Sequence, residues 1–250
     1  MATRGTEGRP VEGMGRERQV RTIFSEIAPR YDLLNRVLSL SVDRRWRRRA
    51  IDALGWEAAP AGTYLDACAG TYDLARELCD RRSFRGSVVA SDFALPMLQE
   101  GRGKVQGRAV RPVCGDTLRL PFPDAVFSGA TVAFGVRNLA HLERGLAELQ
   151  RVLAPGGRLV ILEFTEPPNP LFRALYHFYF RSILPRVGRL VSGHPWAYTY
   201  LPESVKEFPD PDGLAELLRG VGFDEVRWRF LTWGIAALHL GVKPGARGGG

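Results

Sequence analysis

Apolar and polar positions alternate along the chain in two rhythms. Short apolar runs closed by small or acidic residues read as strands: Tyr64 to Ala67, Val88 to Asp92, Arg111 to Cys114, Val126 to Phe134 and Arg158 to Phe164, the first and last of them buried. Between them lie segments of helical period. One opens at Asp73, a second covers Ala94 to Arg102, and a third covers His141 to Leu153. The third puts Leu142, Leu146, Leu149 and Leu153 on one face, and Pro155-Gly156-Gly157 ends it. Strands alternating with helices at this spacing predict an α/β protein with a parallel, doubly wound sheet.

Two stretches break the alternation. Residues 167–209 form a long aromatic insertion between the fifth strand and a helix over Pro211 to Val221. Phe223 to Phe230 and Gly234 to Gly241 then read as two strands only a few residues apart. A parallel crossover needs a dozen residues or more, so this pair must be antiparallel. At the other end, Gln19 to Ala28 predicts a short helix stopped before Pro29, and a longer helix follows in two pieces. Its second piece places Val42, Trp46, Ala50 and Ala53 on a packing stripe, with Arg44, Arg45, Arg47, Arg48 and Arg49 on the outward faces.

The 250 residues fit one domain over 19–243, with N-terminal helices at 19–58 and disordered tails at 1–18 and 244–250. The net charge of +8 comes almost wholly from arginine, because lysine occurs only at Lys104, Lys206 and Lys243. That charge suits nucleic acid, an anionic membrane or a phosphorylated ligand and does not choose among them. Cys68, Cys79 and Cys114 are odd in number and show no Cys-x-x-Cys spacing. This argues against a disulfide framework or a zinc site, and for a reducing cytoplasm. No run reaches the 18 apolar residues of a membrane span, and the first residues lack the apolar region of a signal peptide.

The chemistry concentrates in Leu65-Asp66-Ala67-Cys68-Ala69-Gly70-Thr71-Tyr72-Asp73, a strand running through small residues into a helix. A ligand can approach backbone only where side chains are short, and a strand-to-helix turn aims N–H groups at it. Twenty residues after Tyr72, the second strand closes on Asp92, the position from which such folds hydrogen-bond ribose hydroxyls. Together they predict an adenosine-containing cofactor.

A sheet of this kind with a C-terminal hairpin resembles the seven-stranded fold of S-adenosylmethionine-dependent methyltransferases. Within it, the chain resembles the ubiquinone and menaquinone biosynthesis C-methyltransferases from about Val20 to Lys243. The resemblance rests on Tyr31-Asp32-Leu33-Leu34-Asn35, on Gly115-Asp116 with Leu120-Pro121-Phe122-Pro123-Asp124, and on Phe134-Gly135-Val136-Arg137-Asn138. Pro155-Gly156-Gly157-Arg158, Leu162-Glu163-Phe164 and Tyr200-Leu201-Pro202-Glu203-Ser204 extend it. It departs from the family in reading Ala69-Gly70-Thr71-Tyr72 for Gly-Gly-Thr-Gly, which places a bulky ring where the cofactor meets bare backbone. Asp43 replaces a histidine, Ala133 a serine and Ala154 a lysine.

The resemblance implies S-adenosyl-L-methionine as cofactor. Asp66, Gly70 and Thr71 would form its turn, Asp92 would meet the ribose, and Asp116 with Thr117 would lie beside the adenine. It implies methyl transfer to a ring carbon of a prenylated quinol, most simply demethylmenaquinol. A ring carbon becomes a good nucleophile once a neighbouring phenol loses its proton. Arg137 and Asn138, after the fourth strand, would stabilise that phenolate, and Tyr31 would relay a proton or orient the ring. Pairing of Arg137 with an acid, packing of Tyr31, and Asp43 as a base stand as alternatives. So do a methyltransferase of another lipophilic phenol and a non-catalytic binding protein. An RNA substrate is disfavoured, because Phe134-Gly135 stands where amino-methylating enzymes carry a Pro-Pro-aromatic loop. A helix over Leu171 to Leu184 aligns Arg173, His177 and Arg181 beside aromatic residues, which predicts peripheral contact with an anionic membrane.

Overall fold

A computed structural model of the protein describes residues 41–179 and 204–245, together with residues 15, 20, 22, 24–26, 28–30, 32, 33 and 39. The strands are β1 (Thr63–Ala67), β2 (Ser87–Asp92), β3 (Val110–Cys114), β4 (Phe127–Ala133), β5 (Leu153–Phe164), β6 (Asp224–Leu231) and β7 (Ala236–Val242). They form one sheet in the order β3-β2-β1-β4-β5-β7-β6. Strands β1 to β5 pair in parallel, and β7 runs antiparallel to both β5 and β6. The helices with described boundaries are α1 (Asp43–Leu54), α2 (Asp73–Cys79), α3 (Leu95–Gly101), α4 (Leu142–Val152), α5 (Pro170–Phe178) and α6 (Pro211–Gly220). This is the expected doubly wound sheet with an antiparallel C-terminal hairpin.

Both faces of the central strands are covered, which is why their sequences are nearly unbroken apolar runs. On one face Trp46, Ile51 and Leu54 of α1 pack with Leu74 and Leu78 of α2. On the other, Leu146 and Leu149 of α4 meet Leu214 and Leu218 of α6. Capping side chains fix helix entries: Asp210 accepts from Gly213 N at 2.7 Å ahead of Pro211, and Asn169 accepts from Leu171 N and Phe172 N ahead of Pro170.

Three expectations are corrected. The helix α1 is rolled relative to the expected stripe: Ile51 and Leu54 join Trp46 and Ala50 in the core, while Val42 and Ala53 are only partly buried. Arg47 is not an outward arginine, because it is buried beside Asp43 and Asp73, and two carboxylates make a buried cation tolerable. Pro155-Gly156-Gly157 does not separate helix from strand, because β5 already begins at Leu153. Gly156 N donates to Lys243 O and Lys243 N to Gly157 O, both at 2.9 Å, which carries the pairing past the end of β7. The tails fall almost wholly outside the described residues, as does the insertion between residues 180 and 203.

Candidate active site

The strand order reverses direction between β1 and β4, and in sheets of this type ligands bind beyond the carboxyl ends of the strands at that point. A cleft lies there, lined by Gly70 after β1, Phe93 and Met97 after β2, Asp116 and Thr117 after β3, and Gly135 and Asn138 after β4. Phe24 from the N-terminal segment closes one side. Beneath Gly135 the chains approach too closely for a side chain, since a Cβ there would stand 2.4 Å from Cys68 Cβ. A second cavity shares Cys68 and Ala133 with the cleft and continues to Arg47, Asp66, Thr71 and Asp73.

Two carboxylates organise the turn between β1 and α2. Asp66 accepts from Ala75 N at 3.0 Å, satisfying a donor in the first turn of α2, and from Thr131 Oγ1 at 3.2 Å. Burial pushes its carboxyl up to about 7 against these hydrogen bonds. Asp92 accepts from Gly70 N and from Ala94 N, both at 2.8 Å, and so ties the turn after β1 to the end of β2. Burial raises it to about 6, partly opposed by those two N–H groups. Each Asp92 oxygen accepts from one backbone N–H and has a second lone pair, the acceptor capacity that ribose hydroxyls require.

Sequence reasoning missed the charged network beyond the turn. Arg47 reaches Asp73 at 3.4 Å as well as Asp43, and Asp43 also accepts from Ser39 Oγ at 2.8 Å. Burial works to raise Asp73, but Arg47 and Lys104 outweigh it and hold the carboxyl below its ordinary value. Asp43 is thus engaged in a structural pair on α1. The signal in the sequence was the Asp43/Arg47 spacing of four, which puts both on one helix face.

Arg137 and Asn138 follow β4 in a short 3-10 turn, Val136–Asn138, and both are buried. Asn138 Nδ2 donates to Phe134 O at 3.2 Å on the wall of the cleft. Arg137 turns toward β5: Nη1 donates to Glu163 Oε1 and to Phe134 O, each at 2.6 Å, and its guanidinium lies 5.5 Å from the centre of the Phe164 ring. Glu163 is fully buried, and burial raises its carboxyl while Arg137 pulls it back. An acid in the apolar run Leu159 to Phe164 requires a buried cation, and that was the available signal for this pair.

The structure therefore gathers Gly70, Asp116, Thr117 and Asn138 around the cleft, places Asp66 and Thr71 on the adjoining cavity, and sets Asp92 behind Gly70. Tyr31 lies outside the described residues. The ring of Tyr72 does not stand in the cofactor's path as expected. The residue adopts φ of 67°, its side chain is fully buried in the core, and its hydroxyl donates to Leu98 O at 2.7 Å. The left-handed backbone turns the ring beneath α3.

Residues 13–243 match the model of the ubiE/COQ5 methyltransferase family. The chain belongs to that family. It is 52% identical over 224 residues to a demethylmenaquinone methyltransferase of Thermus thermophilus, covering 89% of this chain and 100% of the relative. It is 50% identical to a protein of the same description from Deinococcus radiodurans, covering 95% and 98%. Among solved structures, the fold is similar to the cyclase SpnF, with a TM-score of 0.67 and 16% identity over 96% of this chain and 99% of the other. A SAM-dependent methyltransferase of Thermotoga maritima matches with a TM-score of 0.60 and 18% identity over 89% and 98%. A fold shared with a cyclase does not decide chemistry, whereas membership of the ubiE/COQ5 family does. The protein is an S-adenosylmethionine-dependent methyltransferase.

The residues lining these two small cavities carry groups whose chemistry suits that cofactor. Its amino-acid end carries an ammonium and a carboxylate, and the inner cavity offers Asp66 and Asp73 with Arg47. Its nucleoside end needs a buried carboxylate beside a flat, partly apolar slot. Asp92 adjoins a cleft lined by Phe93, Met97 and Thr117.

Proposed function

We propose that this methyltransferase adds a methyl group to a ring carbon of a prenylated quinol, demethylmenaquinol, to give menaquinol. The observation that carries the reading is identity of 50 to 52% over nearly the whole chain with relatives described as demethylmenaquinone methyltransferases. The cofactor, when bound, supplies an electrophilic methyl group on a sulfonium. The rest of the task is positioning and charge: acceptor carbon in line with the methyl, water kept out, and the phenol held as its anion. In this reading Gly70, Thr71, Asp66 and Asp92 hold the cofactor, with Asp116 and Thr117 beside the adenine. Asn138 and Arg137 donate to the phenolate oxygen, and Glu163 fixes the guanidinium from behind. Tyr31 is proposed to orient the quinol ring.

Leu139 supports a path for the prenyl tail. It lines the cleft and also a cavity of about 730 Å³ walled on one part by Val136, Leu142, Phe208 and Leu217 and on another by His141, Glu143, Arg144 and Glu207. A lipid-borne substrate also gives meaning to an apolar face on the insertion. On α5, Leu171, Leu175 and Phe178 are 81, 60 and 57% exposed, and Trp233 is 75% exposed with its ring 5.3 Å from that of Phe172. The basic row expected to face lipid is instead turned inward: Arg173 donates to Pro167 O and Pro168 O, and His177 approaches Glu166 at 3.4 Å, while Arg181 lies outside the described residues. We propose peripheral contact with the membrane through this apolar stripe. Among the described residues no helix is long and apolar enough to cross a bilayer.

Labelled S-adenosylmethionine incubated with the quinol and, separately, with its oxidised quinone tests the reaction. The quinol should accept label and the quinone should not, because only the quinol has a phenol proton to lose. Equal rates would overturn the proposal.

A further inference from the structure

The side chain of Lys104 occupies an unusual position for the last cation of a short surface turn. It follows α3 in the 3-10 turn Arg102–Val105, yet its ammonium has its three donors matched by three acceptors: Asp32 Oδ2 at 2.6 Å, Thr71 Oγ1 at 2.8 Å and Asp73 Oδ1 at 2.8 Å. Thr71 Oγ1 in turn donates to Asp32 Oδ1 at 2.7 Å. One lysine thus joins the N-terminal segment, through Asp32, to both ends of the turn that cradles the cofactor. Asp73 also receives Arg47, so the clasp connects to the buried cation in the wall of the inner cavity.

A second contact between the same partners lies at the other end of the site. Ala28 of the N-terminal segment packs on Ala94 and Met97, and Phe24 covers the cleft beside Met97. The stretch from Ala94 to Lys104, directly after Asp92, therefore anchors the N-terminal segment twice: by apolar packing at the nucleoside end and by the lysine at the amino-acid end. The apolar contact is non-directional. The lysine contact fixes where the Thr71 hydroxyl points.

We propose that Lys104, with Asp32, is a positioning residue of the methyltransferase: it holds Thr71 and Asp73 in register for the cofactor's amino-acid end and keeps the N-terminal segment seated over the bound cofactor. The proposal rests on the cofactor assignment made above. Lys104 and Asp32 are about one-fifth and one-third exposed, so their removal leaves the core intact.

The test uses the full-length protein, S-adenosylmethionine binding by calorimetry, cofactor release by stopped flow, and a cycle of Lys104→Met, Asp32→Asn and the double variant. Loss of a charge-assisted hydrogen bond at a partly exposed site should weaken cofactor binding about tenfold in either single variant. The weakening should appear as faster release. KM for the cofactor should rise in proportion, with kcat at saturation and KM for the quinol held within about twofold. The double variant should be no weaker than the weaker single one, because both remove the same clasp. Unchanged affinity and release in both single variants would overturn the proposal, as would losses that multiply in the double variant. A fall in kcat with cofactor binding intact would also overturn it, by assigning Lys104 to chemistry or to general stability. Absence of binding by the wild type would instead overturn the cofactor assignment, and this proposal with it.

Discussion

Arg137 Nη1 lies 2.6 Å from Glu163 Oε1, and both side chains are buried at the end of β4 and β5. In the proposed reaction this pair underlies the acceptor side of the site. Breaking a buried pair by removing one partner typically costs about 3 to 5 kcal/mol, because the other charge stays in the interior. Glu163→Ala should lower unfolding stability by about that amount in urea titrations. The double variant Glu163→Ala with Arg137→Met should lose less than the sum of the two single changes. Full additivity would mean that the two side chains are not coupled.

Arg137 also carries the catalytic proposal. Loss of one oxyanion donor typically lowers turnover by about 10² to 10³. Arg137→Met should show that fall in kcat with S-adenosylmethionine affinity near wild type, because the guanidinium faces β5 and not the nucleoside cleft. A variant that loses cofactor affinity instead would place Arg137 on the wrong ligand.

Asp66 and Asp92 give the protein a pH signature. Their folded values, about 7 and about 6, lie above the ordinary 3.8. The folded, ligand-free chain therefore holds protons that the unfolded chain has released, and stability is lost as pH rises from about 4 through 6 and 7. Thermal melting should show this decline, and Asp66→Asn should flatten its upper part. Cofactor binding should run the other way: the charged form of Asp92 is the better acceptor, so affinity should rise as pH passes through about 6. Calorimetry on wild type and Asp92→Asn decides it, since a pH-independent affinity in the wild type would separate Asp92 from the ribose.

Tyr72→Gly places in this turn the glycine that the resemblance leads one to expect there. It removes about 1 to 2 kcal/mol of left-handed strain but empties a fully buried ring site and deletes the bond to Leu98, losses of about 3 to 5 kcal/mol. The variant should melt at lower temperature while binding the cofactor as wild type does. Tighter binding would mean that the ring obstructs the site after all.

The apolar stripe of α5 predicts vesicle binding that depends on Leu171 and Leu175. Leu171→Asp with Leu175→Asp should abolish sedimentation with liposomes, whereas Arg173→Glu should have little effect because its guanidinium is tied to Pro167 and Pro168. The reverse outcome would favour a basic membrane face.

The fold was legible wherever local pattern and connection length decide it. The apolar run closed by Asp92 could only be a buried strand, whereas β3, closed by Cys114, lies at the sheet edge and is largely exposed; the few residues between β6 and β7 could only turn the chain back. The gathering of Asp66 and Asp92 at the turn around Gly70 was legible from their spacing, because backbone donors at a strand-to-helix turn attract nearby acids. What escaped notice depended on distant partners. Arg47 reads as surface until Asp73, 26 positions away, is brought beside it by packing of α1 on α2. Lys104 carries no local pattern at all, and Asp32 stood out only as part of Tyr31-Asp32-Leu33-Leu34-Asn35, with nothing to name its partner. Tyr72 was misplaced because the sign of one φ angle decides whether its ring meets ligand or core.

The most direct measurement of the account is the position of the transferred methyl group. The protein, demethylmenaquinol and carbon-13-labelled S-adenosylmethionine should yield a product whose labelled methyl is bonded to the quinol ring carbon, read by NMR and mass spectrometry. Label on a phenol oxygen, or no transfer by a protein that binds the cofactor, would contradict it.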